Sequence, residues 1–212
     1  MKLEHVLPQE IEKRSFEIIT QELKEKGIVL PEEQAFIIKR AIHTTADFDY
    51  ASTLYFSPGA VDRAEELLKA GADIVTDTNM GLSGINKAAF SLWGGQAHCF
   101  MAQPDVAAEA KERGLTRAVV SMERAAKLGK PVIFAVGNAP TALIRLREML
   151  DEGNFRPDFV IGVPVGFVNV EYAKELIIES GVPCIVNRGR KGGSNVAAAI
   201  CNALLYHLRD KA

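Results

Sequence analysis

The stretch PVIFAVGNAPTAL, residues 131–143, decides the fold of this 212-residue chain. Its first six residues form an unbroken apolar run, and a turn-forming segment and a helical pattern reaching about residue 152 follow. Unbroken apolar runs of this length, bounded by turn residues, are typical of strands that are buried on both faces of a sheet. The stretch therefore predicts one strand–helix unit.

The same order recurs along the chain. Four more apolar runs predict strands: ADIVTD (72–77), QAHCFM (96–101), DFVIGV (158–163) and PCIVNR (183–188). Helical patterns lie near 79–90, 104–128 and 169–180, and a last one runs from Ser194 to about Leu208. Alternation of this kind predicts an α/β fold with a flavodoxin-like, doubly wound, parallel five-stranded sheet.

The first 45 residues read as two helices, the first stopped by Gly27 and the second starting at Pro31 and running to about His43. We predict a single domain of residues 1–212, in which the N-terminal helices (1–45) pack on the α/β core (46–212).

Composition excludes several classes of function. A net charge of -2 argues against a nucleic acid or anionic membrane partner. The N-terminus lacks the apolar run of a signal peptide, and VAAAICNALLY is too short to span a bilayer, so a cytoplasmic protein is expected. The cysteines and histidines show no metal-ligand spacing, which predicts buried thiols and no protein-held metal: Cys99, Cys184, Cys201, His5, His43, His98 and His207.

Ligands of doubly wound sheets bind at the carboxyl ends of the strands. Four loops rich in Gly, Asn, Ser, Thr and Pro should lie there: TDTNMGLSG (76–84), VGNAPTAL (136–143), GVPVGFVN (162–169) and NRGRKGGSN (187–195). Glycine allows a close approach of the backbone to a ligand. Because titratable groups are scarce in these loops, we expect a pocket for a large, flat ligand. Any proton donor should then come from another part of the chain.

Two of these loops carry candidate binding residues. RGRKGGSN places three cations and three glycines before a helix, which favours either an anion site or a solvated basic turn that caps the helix. The P-loop and GxGxxG patterns are absent. In VGNAPTAL, Asn138 and Thr141 flank Pro140, and Asn138 is either a helix N-cap or a ligand contact.

KRAIHTTADFDY (39–50) places Arg40 and His43 on the same face of a helix. His43 is either a structural histidine or a proton donor, with Arg40 beside it as an anion anchor. Arg117, at the start of a helical pattern, is either a surface arginine or a substrate clamp, and the same choice applies to Ser15 in EKRSF.

Five motifs taken together carry a resemblance. RSFEII, RAIHTTAD, GNAPTAL, PVGFV and RGRKGGSNVAAA, in this order and spacing, resemble the precorrin-8X methylmutase family of cobalamin biosynthesis from about Ser15 to Leu205. The resemblance implies a flavodoxin-like homodimer that moves a methyl group from ring carbon 11 to ring carbon 12 of a tetrapyrrole. The substrate would be precorrin-8X or cobalt-precorrin-8, and the product hydrogenobyrinate or cobyrinate. No cofactor is implied, since any cobalt is carried by the substrate.

The resemblance also implies residue roles. His43 matches the family's catalytic histidine, which assists the shift by protonation. The residues matched to substrate contacts, with the two polar residues of GNAPTAL added, are Ser15, Arg40, Arg117, Asn138, Thr141, Arg188, Arg190, Lys191, Gly192 and Ser194. The chain departs from the family where a Glu-Ser-Lys triplet is replaced by Tyr172, Ala173 and Lys174.

Two other functions are open at this stage. A corrinoid-binding carrier could have the same pocket without the chemistry, although the intact RAIH segment argues against it. A nucleotide- or phosphate-binding α/β enzyme could use GRKGGSN as its anion loop, but that idea rests on fold analogy.

Overall fold

The computed structural model of the protein describes residues 6–211, so His5 lies outside the described residues. One sheet is built from β1 (Leu54–Phe56), β2 (Asp73–Thr76), β3 (Ala97–His98), β4 (Val132–Val136), β5 (Phe159–Gly162) and β6 (Cys184–Asn187). After a 3-10 turn at Pro8–Glu10, the helices are α1 (Ile11–Glu25), α2 (Glu32–Thr45), α3 (Tyr50–Thr53), α4 (Ala60–Lys69), α5 (Asn79–Gly84), α6 (Lys87–Ser91), α7 (Pro104–Arg113), α8 (Arg117–Ala125), α9 (Pro140–Asp151), α10 (Val170–Glu179) and α11 (Ser194–Lys211).

The strand order across the sheet is β1-β6-β5-β4-β2-β3. The five predicted strands, β2 to β6, all form and run parallel to one another. If β2 to β6 are renumbered 1 to 5, their order across the sheet is 2-1-3-4-5, which is the flavodoxin-like order. The winding reverses between β2 and β4, which are neighbours in the sheet. The prediction of a doubly wound α/β fold is confirmed.

The predicted strand count was wrong, because the sheet has six strands rather than five. The extra strand, β1, pairs antiparallel with β6, and Leu54 lies opposite Asn187. Three residues directly after a helix are too few to show a strand period in the sequence. The pairing with a distant segment of the chain determines their conformation.

Two predicted helical patterns are each divided into two helices. The pattern at 104–128 is interrupted at Gly114, whose φ of 64° ends α7, and Thr116 then caps α8 by accepting from the Val119 N–H at 3.3 Å. The pattern at 79–90 is interrupted at Ile85, whose extended backbone ends α5. Asn86 caps α6 there by accepting from the Ala89 N–H.

Strand β4 has helices on both of its faces. Ile133 and Ala135 of β4 pack into the core shared with α2, α4 and α11. Val132, Phe134 and Val136 point the other way, into the core shared with α8, α9 and α10. Because side chains alternate along a strand, burial on both faces requires an unbroken apolar sequence.

The end of α2 lies over the carboxyl edge of the sheet. Helix α1 packs on α2, and α2 packs on α11, the helix that follows β6. Ala46 takes a left-handed conformation with a φ of 54° and ends α2 three residues after His43. The fold thus brings the predicted histidine to the edge where ligands of such sheets bind.

Candidate functional site

A cavity of about 290 Å³ lies between the end of α2 and the starts of α5 and α11. It combines cationic, polar and apolar groups, lined by Arg40, His43, Thr44, Met80, Gly84, Asn195, Ala198, Ala199, Asn202 and Tyr206. Another cavity, of about 340 Å³, lies between α1 and α2 at Lys24 and Lys39, but no histidine lines it. The cavity beside His43 is therefore the candidate ligand site.

His43 is held from α1. Its Nδ1 lies 2.8 Å from the hydroxyl oxygen of Ser15. Its ring stacks on Phe16, with centroids 5.2 Å apart and the planes inclined by 22°. These two contacts orient the ring and leave Nε2 as the nitrogen for a ligand.

Arg40 lies one helical turn before His43 and lines the same cavity. Its guanidinium carbon lies 4.7 Å from the Phe16 ring centroid and 5.2 Å from that of Tyr206. Its Nη2 donates to the Glu12 carboxylate at 2.8 Å, and this hydrogen bond holds the pKa of Glu12 below its ordinary value. We call residues 12–16 with 40–43 the α1–α2 seam.

We call the segment 188–193 the basic loop. Hydrogen bonds from buried side chains hold its backbone in place. Lys174 is fully buried and its ammonium group donates to the carbonyls of Gly189 and Lys191 at 2.7 and 2.8 Å. Burial lowers the pKa of Lys174 to about 8. The Asn187 amide also donates to the Lys191 carbonyl, at 2.8 Å.

Gly192 in the basic loop lies directly against another strand end. A Cβ at this position would lie 2.1 Å from the Val163 carbonyl oxygen. Next to it, the Gly193 N–H donates to the same oxygen at 2.9 Å. Glycine is therefore required for packing between the loops that follow β5 and β6.

The cations of the basic loop are paired with carboxylates of the chain itself. Arg188 pairs with Glu175 at 3.3 Å and Arg190 with Glu171 at 2.8 Å. Lys191 donates to both Asp47 and Asp49, each at 2.6 Å, and so joins the loop to the segment after α2. The three cations are thus paired within the chain, while their side chains remain about half exposed to solvent.

Asp77, just after β2, lies at the point where the winding of the sheet reverses. Its buried carboxylate accepts the N–H groups of Gly137, Asn138 and Ala139 at 2.9, 2.8 and 2.6 Å. Burial raises the pKa of Asp77, while the three N–H donors act in the opposite direction. These three N–H groups are therefore satisfied within the chain, and they fix the loop after β4 against the end of β2.

The expected N-cap at Asn138 was wrong. The residue before α9 is Ala139, no side chain caps that helix, and the Asn138 side chain is exposed. The Asn138 backbone is fixed instead by Asp77. Ser194, at the start of α11, is buried and its hydroxyl oxygen lies 2.7 Å from that of Thr78.

Of the eleven predicted site residues, Arg40 and His43 line the cavity and the other nine do not, and two of those nine contact other parts of the molecule. Arg117 is exposed and its Nη1 donates to the Met101 carbonyl at 3.4 Å. The Thr141 hydroxyl lies 3.1 Å from that of Thr116. Neither residue is part of the cavity lining.

Across residues 6–211, no group of three His, Cys, Asp or Glu side chains is arranged to hold a metal ion. Within the same range, no helix has the length and apolar character needed to cross a bilayer. Cys184 and Cys201 are buried as predicted, whereas Cys99 is half-buried.

Sequence reasoning missed the carboxylates of the site. Glu12, Asp47 and Asp49 were given no role, although each pairs with a predicted cation. The partners are 28 to 144 residues apart, and no local pattern indicates such pairs. Tyr206 was also missed, because its place beside Arg40 depends on the packing of α2 on α11.

Fold and site together define a flavodoxin-like α/β protein with a histidine–arginine cavity beside the carboxyl edge of its sheet. The sequence model described as Precorrin-8X methylmutase matches residues 10–207. The cobalt-precorrin-8 methylmutase of Salmonella typhimurium is 46% identical over 208 residues, covering 96% of this chain and 97% of that protein. The precorrin-8X methylmutase of Pseudomonas aeruginosa is 38% identical over 198 residues, covering 92% and 94%.

A solved structure gives the same result. The crystal structure of precorrin-8X methyl mutase from Thermus thermophilus superposes with a TM-score of 0.86 at 38% identity, covering 95% of this chain and 98% of that one. The chain belongs to the precorrin-8X methylmutase family. Methylmutases are isomerases, so the expectation of an isomerase is confirmed.

Proposed function

We propose that this protein moves a methyl group from ring carbon 11 to ring carbon 12 of precorrin-8X or cobalt-precorrin-8. The product is hydrogenobyrinate or cobyrinate, and the reaction belongs to cobalamin biosynthesis. Relatives named for either substrate are similar to this chain, so the proposal covers both.

The observation that carries the proposal is the setting of His43. With Ser15 at Nδ1 and Phe16 against the ring, Nε2 is the nitrogen left to donate a proton to the conjugated macrocycle. Protonation favours migration of the methyl group, and the proton is returned afterwards because the reaction is an isomerisation. Such general acid assistance is typically worth about 10²–10⁴-fold in rate.

The substrate is a large tetrapyrrole that carries carboxylates on its rim. Ligand pockets usually occupy about 300–1,000 Å³, so a cavity of about 290 Å³ fits one edge of the macrocycle. Arg40 lies in this cavity, and a guanidinium suits bidentate binding of a carboxylate. The rest of the rim extends toward the basic loop, where Arg188, Arg190, Lys191, Gly192 and Ser194 complete the proposed contacts.

Substrate contacts for Ser15, Arg117, Asn138 and Thr141 are less well supported than those of Arg40. Ser15 is engaged with His43, while Arg117, Asn138 and Thr141 lie outside the cavity lining and, unlike the basic loop, are not joined by an ion pair to the segment after α2. We therefore propose Ser15 as a positioning residue and keep the other three as contacts for the outer part of a bound macrocycle.

The test is an absorption spectrum of the protein mixed with each substrate, beside a His43→Ala variant. Migration of the methyl group extends conjugation, so the wild type should change the visible spectrum. The variant should bind the pigment and convert it about 10²–10⁴-fold more slowly. Conversion at the wild-type rate by His43→Ala would exclude His43 as the acid, and binding without conversion by the wild type would indicate a carrier.

We further propose that the protein acts without a cofactor, as a cytoplasmic homodimer. A group of exposed apolar side chains after β5 supports self-association: Val165, Phe167, Val168 and Tyr172. Light scattering on the eluate of a size-exclusion column measures the oligomeric state directly.

A further inference from the structure

Arg40 is held in place by two aromatic rings and is neutralised by one carboxylate. Phe16 and Tyr206 lie on the guanidinium, and Tyr206 is itself fixed because its hydroxyl accepts from the Asn86 amide at 3.0 Å. The guanidinium position is thus determined without Glu12. Among the described residues, the Glu12 carboxylate accepts the one hydrogen bond that this guanidinium donates, at 2.8 Å.

The two partners differ in exposure. The Arg40 side chain is 16% exposed, whereas that of Glu12 is 59% exposed. Ion pairs with an exposed partner are weak, because solvent competes and a flexible side chain must be ordered. A ligand carboxylate that binds a pre-oriented guanidinium through two parallel hydrogen bonds makes a stronger contact. Glu12 is therefore displaceable, while Arg40 is not.

We propose that Glu12 takes the place of a substrate carboxylate. Its carboxylate binds Arg40 in the empty site and is displaced when the tetrapyrrole binds. This inference rests on the proposed function. The exchange replaces one carboxylate by another, so the charge beside His43 stays the same in the empty and the loaded site. Glu12 would thereby set the affinity for anionic ligands while making no contact with them.

The proposal predicts an effect opposite to that of a supporting residue. A Glu12→Gln variant lacks the carboxylate that competes with the ligand for Arg40, while the aromatic rings still hold the guanidinium. Hydrogenobyrinate, the proposed product, should then bind about 2–5-fold more tightly at low salt, which is the range given by exposed ion pairs. High salt should reduce the gain. KM for the substrate should fall while kcat stays unchanged.

The experiment is an absorbance titration of wild type, Glu12→Gln and a control, Glu17→Gln, with hydrogenobyrinate at low and high salt. Glu17 is an exposed residue of the same helix and pairs with Arg14 at 3.4 Å, so the control removes the same charge away from Arg40. Glu17→Gln should match the wild type. In an Arg40→Met background, Glu12→Gln should have no further effect on affinity.

The outcomes separate the two proposals. A wild type that converts substrate, with a Glu12→Gln variant that binds no more tightly or binds more weakly, overturns the exchange and leaves the proposed function standing. A wild type that neither binds the product nor converts the substrate overturns the proposed function and the exchange with it.

Discussion

The α1–α2 seam and the basic loop face the same site and are held in different ways. On the seam, side chains hold side chains: Ser15 contacts His43, and Glu12 contacts Arg40. On the basic loop, Lys174 holds the backbone and Gly192 lies against a neighbouring strand end. The seam therefore presents adjustable chemical groups, whereas the loop presents a preformed wall.

The difference should be largest at Gly192. Gly192→Ala forces the loop away from the Val163 carbonyl, so the free energy of unfolding should fall by about 3 kcal/mol, the upper part of the usual range for overpacking. Urea denaturation measures the change. Gly189→Ala is the control, because a methyl group there meets open space and costs only about 1–2 kcal/mol for the left-handed backbone. Equal costs at the two positions would contradict a preformed wall.

Lys174→Met removes the ammonium group under the basic loop, so the Gly189 carbonyl loses its side-chain donor and the Lys191 carbonyl keeps the Asn187 amide alone. We expect the free energy of unfolding to fall by about 2–3 kcal/mol, the usual size for loss of a charged hydrogen bond. Thermal unfolding, followed by circular dichroism, reports the loss. Lys87→Met, at an exposed position of α6, should leave stability within about 0.5 kcal/mol. A stable Lys174→Met variant would mean that the loop holds its shape without this contact.

On the seam, Ser15→Ala should change catalysis more than stability. Loss of one hydrogen bond to His43 is worth about 0.5–1.5 kcal/mol, so kcat should fall by up to about tenfold while KM changes little. Ser15→Thr keeps a hydroxyl and should restore most of the rate. Steady-state kinetics on the wild type and the two Ser15 variants measure both kcat and KM. A rise in KM with kcat preserved would instead favour the substrate contact that the family resemblance implies.

The smallest effect is expected where the two regions meet, at the contacts of Lys191 with Asp47 and Asp49. The hydrogen bond from Lys191 lowers the pKa of Asp47. A carboxyl group whose pKa is lowered by folding stabilises the protein above its unfolded value, about 3.9, and loses that contribution as pH falls further. Wild type should therefore be slightly more stable than Asp47→Asn near neutral pH, and the two should converge in acid. Urea midpoints across that range test this, and a difference that persists in acid would refute it.

The contrast also explains what could be predicted from the sequence. The five parallel strands lie within mainly apolar runs, and Ser194 at the start of α11 follows a glycine-rich turn, so local patterns were sufficient. The place of His43 in the cavity could be anticipated because its motif resembles a family motif and its helix has a clear period. Glu12, the partner of Arg40 on the seam, was missed, since it meets Arg40 only after α1 folds back on α2. Strand β1 was missed for the same reason, because its partner lies in β6.

The strands at the two ends of the sheet are short, with three residues in β1 and two in β3. A long, flat edge strand would offer a row of unpaired N–H and C=O groups on which another chain could add a strand. These short edge strands offer few backbone hydrogen-bonding groups with which another strand could pair. The sheet is thereby protected from edge-to-edge aggregation at the high local concentrations of protein synthesis. Copies of this protein that associate must do so through helices and loops rather than by extending one sheet into the next.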